Sequence, residues 1–162
     1  MVRVAHAASR ITDSRRAAEM TSSQVAVLDG TVEKTNRVLK DIEQAYGWPR
    51  ERRNQSYLAL RAVLHCLRDR LPVGEAVQLS AQLPLLIRGI YYDGWEPDKA
   101  PEKMGRSEFL ARVREDFRFE IDGGIERLVQ TVLTALRPYI TDGEWQDVKS
   151  SMPKELMSML PA

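Results

Sequence analysis

Apolar residues recur along this chain at every third or fourth position, and no stretch alternates with period two. That spacing predicts helices with one buried face and no sheet. Val32, Thr35, Val38, Leu39, Ile42, Ala45 and Tyr46 share such a face, and Gly47 is a natural stop. Pro49, tolerated in a first turn, opens a long helix with Tyr57, Leu60, Val63, Leu64, Leu67 and Leu71 on its apolar side, and Pro72 ends it. Short helices are predicted over about 74–82 and from Pro84 to about 91. Residues 93–106 contain two prolines and two glycines, which predicts a linker without a regular element.

The same plan then recurs. Residues 60–91 lie over residues 129–160 at a constant offset of 69, with Val63/Val132, Leu64/Leu133, Leu67/Leu136, Arg68/Arg137, Gly74/Gly143, Glu75/Glu144 and Pro84/Pro153 identical. Ser107 is the expected N-cap of a helix bearing Phe109, Leu110, Val113 and Phe117. Asp122 is the expected cap of a long helix bearing Ile125, Leu128, Val129, Val132, Leu133 and Leu136. Pro138 should distort that helix's last turn. Thr141 and Glu144 have capping-box spacing. The expectation is an all-α protein of two tandem four-helix repeats packed into one bundle: repeat one over 31–92, linker 93–106, repeat two over 107–162. Each repeat is too small to bury much surface alone, so each should cover the other's apolar face. Residues 1–29 lack sustained periodicity and are expected to form a flexible tail with one weak helical turn, leaving 30–162 as the duplicated domain.

Composition narrows the class. The 162 residues are 43% hydrophobic and 29% charged, ordinary globular material. A single cysteine, Cys66, excludes an internal disulfide and a cysteine-based zinc site, and suits a reducing, cytoplasmic setting. No apolar run approaches the roughly 20 residues of a membrane span. The net charge of +1 makes no case for nucleic acid or an acidic membrane. Its distribution is uneven: residues 31–92 carry 10 Lys/Arg and 6 Asp/Glu, residues 93–162 carry 10 and 14. The two repeats are therefore oppositely charged.

The segments Arg61–Pro72, 81–88 (AQLPLLIR), 91–95 (YYDGW), 109–113 (FLARV) and 143–147 (GEWQD) resemble the bacterial family catalogued as domain of unknown function 2267. The likeness spans roughly 31–160, with the longer turn over 47–54 as a local departure. It implies a small helical bacterial protein, cytoplasmic in setting. It brings no activity, cofactor or site residues.

Candidate chemistry is sparse. His65 and Cys66 are neighbours, but adjacent helical residues point about 100° apart and do not converge. No paired carboxylates in a recognisable pocket, phosphate loop, nucleophile–base pair or metal spacing appears, so no catalytic residue, metal or cofactor is expected. Tyr91, Tyr92, Asp93 and Trp95 form the densest aromatic cluster. They are either a ligand cradle or a plug at the end of the bundle. Arg50, Arg52 and Arg53 crowd a helix start, where the dipole favours the opposite sign. Their expected counterparts are Glu115, Asp116, Glu120, Asp122 and Glu126, within the chain or on another copy. The favoured reading is a non-enzymatic module for protein interaction or self-association. The alternative is a small-molecule-binding protein with its site near the 91–95 segment.

Overall fold

The computed structural model describes the backbone from Arg3 and the side chains at 14, 15 and 25–162. Every regular element among the described residues is helical. The chain divides into two compact units, Met1–Lys34 and Thr35–Ala162. Helix α1 runs Arg3–Tyr46, so the segment expected to hold one weak turn is continuously helical. The first proline of the chain is Pro49, and Ala and Arg are frequent in that stretch, so nothing stronger than Gly30 interrupts the helix.

In the second unit, α1 buries Val38, Leu39 and Ile42 and stops where the glycine predicts. Gly47 is left-handed (φ 63°). Its N–H donates to Gln44 O at 3.2 Å and that of Trp48 to Glu43 O at 2.9 Å, a Schellman closure. The Trp48 ring stacks on Tyr46 at 4.7 Å. Pro49 then leads into a 3-10 turn, Arg50–Arg52, before α2 (Arg53–Arg70).

α2 is the centre of the bundle, packing on α4 (Leu85–Tyr92), α5 (Arg106–Asp116) and α6 (Gly124–Leu136). It is buried nearly all round from Ala59 to Asp69, as a helix enclosed by neighbours must be. Tyr57, expected on its buried face, is exposed. It precedes the enclosed stretch, where solvent still reaches the helix.

α3 (Val73–Gln82) packs on α7 (Asp142–Ser150), and α8 (Lys154–Met157) is a single turn after Pro153. α3 and α7 begin 69 residues apart, as do α4 and α8. Three details differ from expectation. α5 starts ahead of Ser107: Gly105 precedes it and donates its N–H to Glu108 Oε2 at 2.9 Å. Asp122 does not cap α6. Two left-handed glycines, Gly123 and Gly124, make that turn, since they alone adopt such φ without strain. The linker is not irregular throughout, because Pro97–Lys99 form a 3-10 turn. Pro138 does distort the end of α6, which tightens into a 3-10 turn over Arg137–Tyr139.

One apolar core fills the second unit, with Trp145, Tyr91 and Phe117 as its largest fully buried side chains. Its members come from both sides of the 93–106 segment. Leu64 and Leu133, equivalent at the offset of 69, are each 1% exposed.

Candidate functional site

The aromatic cluster is assembled by the end of α4. Tyr91 and Tyr92 are adjacent on that helix and meet edge to face at 5.3 Å. Tyr91 is fully buried and its hydroxyl donates to Ala76 O at 2.8 Å. Burial pushes its phenol well above the ordinary range. Tyr92 is half-buried, with its hydroxyl 2.6 Å from that of Ser80. Trp95 lies 5.4 Å from Tyr92 and packs against the core. These rings therefore face the protein interior and one another.

Arg68 holds the segment in place. This arginine is 3% exposed. Its Nη1 donates to Tyr91 O at 2.6 Å and Asp93 O at 3.0 Å, and its Nε to Asp69 Oδ1 at 2.7 Å. The opposite oxygen of Asp69 accepts from Arg112 at 3.1 Å, and Arg112 also reaches Glu102 at 2.8 Å. The linker is tied to the same point, since the N–H of Glu102 donates to Asp69 O at 2.7 Å.

Beside this network lies a cleft of about 600 Å³. Asp93 and Gly94 line it, with Arg61, His65, Asp69 and Arg112 among the other walls, but Tyr91, Tyr92 and Trp95 do not. Of the four residues singled out in the 91–95 segment, only Asp93 reaches the cavity, where it pairs with Arg61 at 3.4 Å. His65 is the group that its sequence neighbours did not reveal. Its Nε2 donates to Ile90 O at 2.7 Å, which leaves Nδ1 as an acceptor in a cleft-lining residue. Burial, with help from the charges of Arg68 and Arg61, holds its pKa below the ordinary histidine value, against the bond to Ile90, so the ring is neutral near pH 7. Cys66, its neighbour, points elsewhere: Sγ lies 3.6 Å from Phe109 O, and burial pushes the thiol far up. Among the described residues no group of three or more His, Cys, Asp or Glu could hold a metal ion.

The arginines at the start of α2 separate. Arg53 makes a two-pronged pair with Glu43 of α1, at 3.0 and 3.1 Å, and Ser56 adds a bond to the same carboxylate at 2.9 Å. Burial alone would raise the Glu43 carboxyl. The bonds from Arg53 and Ser56 and the charges of Arg53 and Arg50 outweigh it and bring the group below its ordinary range. Two of the expected counterparts at 115–126 pair with other arginines instead: Glu126 with Arg106, and Glu120 with Arg114 at 3.4 Å. The Gly47 turn brings Glu43 within reach of α2, which explains why the nearer carboxylate wins. Arg50, Arg52, Glu115, Asp116 and Asp122 are exposed and make no ion pair among the described residues.

Residues 35–159 match the model of a family described as an uncharacterized conserved protein, DUF2267. The chain belongs to the DUF2267 family. No curated protein matches it. The family match begins at Thr35, where the second compact unit begins, and ends at Met159, a buried residue of the core. The DUF2267 segment and the packed bundle are therefore the same stretch of chain. No helix among the described residues is long and apolar enough to cross a membrane.

Proposed function

We propose that this DUF2267 protein is a non-enzymatic helical module that associates with a second copy of itself through α1. The observation that carries this is an apolar stripe on that helix: Val25, Leu28 and Val32 are 50%, 57% and 48% exposed. Val25 and Val32 are seven residues apart with Leu28 between, the interval of a seam between paired helices. An antiparallel second copy centred between Leu28 and Asp29 would set Val25 of one chain near Val32 of the other. The unpaired Arg50 and Arg52, and the unpaired Glu115, Asp116 and Asp122, offer further contacts of opposite sign between copies. Within the bundle, the offset of 69 between α3 and α7 and between α4 and α8 supports two four-helix repeats sharing one core. A lone buried cysteine fits a reducing, cytoplasmic setting.

Sedimentation across a concentration series tests the self-association. The wild-type chain should pass from monomer to dimer, and Leu28→Glu should hold it monomeric with the melting temperature that the wild type shows at low concentration. A wild-type chain that stays monomeric at every concentration refutes the reading.

The cleft favours a second reading, a site for a small polar ligand. Its support is the free Nδ1 acceptor of His65 between charged walls. A polar metabolite that raises the melting temperature of the wild type and not of His65→Gln would support it.

A further inference from the structure

Three residues stand one turn apart on the side of α2 that faces the cleft: Arg61, His65 and Arg68. His65 and Arg68 are 8% and 3% exposed, and each has a polar atom that the described residues leave unused. His65 spends its Nε2 proton on Ile90 O, and nothing bonds to Nδ1. Arg68 spends Nε and Nη1 on Asp69, Tyr91 and Asp93, and Nη2 makes no bond. Neither atom is sealed from solvent, so both open on the cleft that their side chains line. Arg61 lies nearer the rim. Its one ion pair is a single contact of 3.4 Å with the exposed Asp93 carboxylate. Exposed pairs of this kind are weak and yield to a better anion.

The floor of the cleft thus offers a neutral acceptor beside unused guanidinium donors. The acceptor asks for a hydroxyl or an N–H, and the guanidinium for an anionic oxygen. The local charges decide which donor suits His65. Arg68 and Arg61 both act on its ring, and Asp69 alone opposes them. That carboxylate is already shared between Arg68 and Arg112. Asp116, a lining acid with no ion pair among the described residues, is not among the charges that act on the ring. An ammonium at Nδ1 would meet two like charges, so the donor that fits is an uncharged hydroxyl. A cleft of about 600 Å³ suits a small ligand. The chemistry belongs to this half of the chain alone. At the offset of 69, Arg61 and His65 become Gln130 and Thr134, which line a smaller cleft of about 350 Å³.

We propose that the cleft binds a small hydroxylated anion, whose carboxylate or phosphate oxygens take the free donors of Arg61 and Arg68 while a neighbouring hydroxyl donates to Nδ1 of His65. The proposal rests on the second reading above, that the cleft holds a small polar ligand, and gives that ligand its chemistry. The floor is set before the ligand arrives, because Ile90 O orients the imidazole and Asp69 the guanidinium. The anion displaces only the Asp93 side chain from Arg61, and the Asp93 carbonyl stays on Arg68. The hydroxyl is the selective element. An anion without it drives water from Nδ1 and leaves a buried acceptor unpaired.

NMR titration of the isotope-labelled full chain at constant ionic strength reads the site at the Gly94 amide and the ring nitrogens of His65. Two matched pairs of probes each differ by one hydroxyl: lactate against propionate, and hydroxyethyl phosphate against ethyl phosphate. In at least one pair the hydroxylated member should bind about tenfold more tightly, the worth of one good hydrogen bond, and should shift Nδ1. The pair that responds more strongly tells carboxylate from phosphate. Arg61→Gln, at a partly exposed position, should weaken that binding about tenfold by removing a charged donor, while the Thr134 amide stays still throughout. Equal binding within both pairs, or binding unmoved by Arg61→Gln, overturns the proposal. A cleft that prefers glycerol or ethanolamine also overturns it, yet leaves the polar-ligand reading standing. Silence toward every probe overturns both.

Discussion

Replacing Arg68 with methionine would keep most of the side chain's volume and remove everything its guanidinium does. In the wild type that group is 3% exposed and donates to three acceptors: Asp69 Oδ1, Tyr91 O and Asp93 O. The carboxylate of Asp69, itself buried, keeps Arg112 as a partner, so its charge is only half compensated rather than orphaned. Breaking one side of a buried ion pair typically costs about 3–5 kcal/mol. The two carbonyls add to this only as far as water fails to reach them from the cleft, so about 3–5 kcal/mol is the expected loss. For a domain of this size that corresponds to a fall in melting temperature of roughly 6–20 °C. The equivalent change at the offset of 69, Arg137→Met, is the internal control. Arg137 donates to Ile140 O at 2.7 Å, but its acidic partner Asp142 is almost wholly exposed, and exposed pairs contribute about 1 kcal/mol or less. Urea unfolding of the two variants side by side decides the matter. Equal losses, or a loss below about 1 kcal/mol for Arg68→Met, would refute the assignment of Arg68 as the tie between α2, α4 and the linker.

Leu64→Ala and Leu133→Ala, both at positions 1% exposed, should each cost about 2–5 kcal/mol, and each should shift a single unfolding transition; two separate transitions would show that the halves do not share a core. Glu43→Gln should flatten the acid limb of the stability curve. The folded-state pKa of Glu43 is depressed, so its contribution is present above the unfolded pKa and lost as pH falls through the folded one; an unchanged acid limb would contradict the pair with Arg53.

Helix type and the punctuating residues were legible in the sequence because they depend on local chemistry. The period of Leu60, Val63, Leu64 and Leu67 marks a helix wherever it packs, and Gly47, Pro72 and Pro84 act on their own backbone. What escaped was decided by neighbours in space. Asp122 has the chemistry of a cap, but the glycines after it supply a turn that its side chain does not join. Arg53 was matched to distant acids by net charge, whereas the Schellman turn delivers Glu43 from the preceding helix. The sequence shows Arg68 only as one of the identical pairs at the offset of 69; nothing in it says that Tyr91 and Asp93 turn their carbonyls toward that residue. Likewise the 91–95 segment announced its aromatic rings, while the cleft beside it is walled by charged residues from α2, the linker and α5, spread over dozens of positions in the chain.

The solitary cysteine gives this bundle a built-in clock. Cys66 is 1% exposed on the inner helix, with its sulfur against the backbone of α5, and burial keeps it in the unreactive thiol form. A thiol reagent can therefore modify it only during moments when the elements packed around α2 open, among them α5. The alkylation rate in native buffer, divided by the rate for an unfolded chain, gives the fraction of time spent open. Because no other cysteine competes, that one rate reports the opening of the bundle at a single, identified residue without any label or substitution to disturb it.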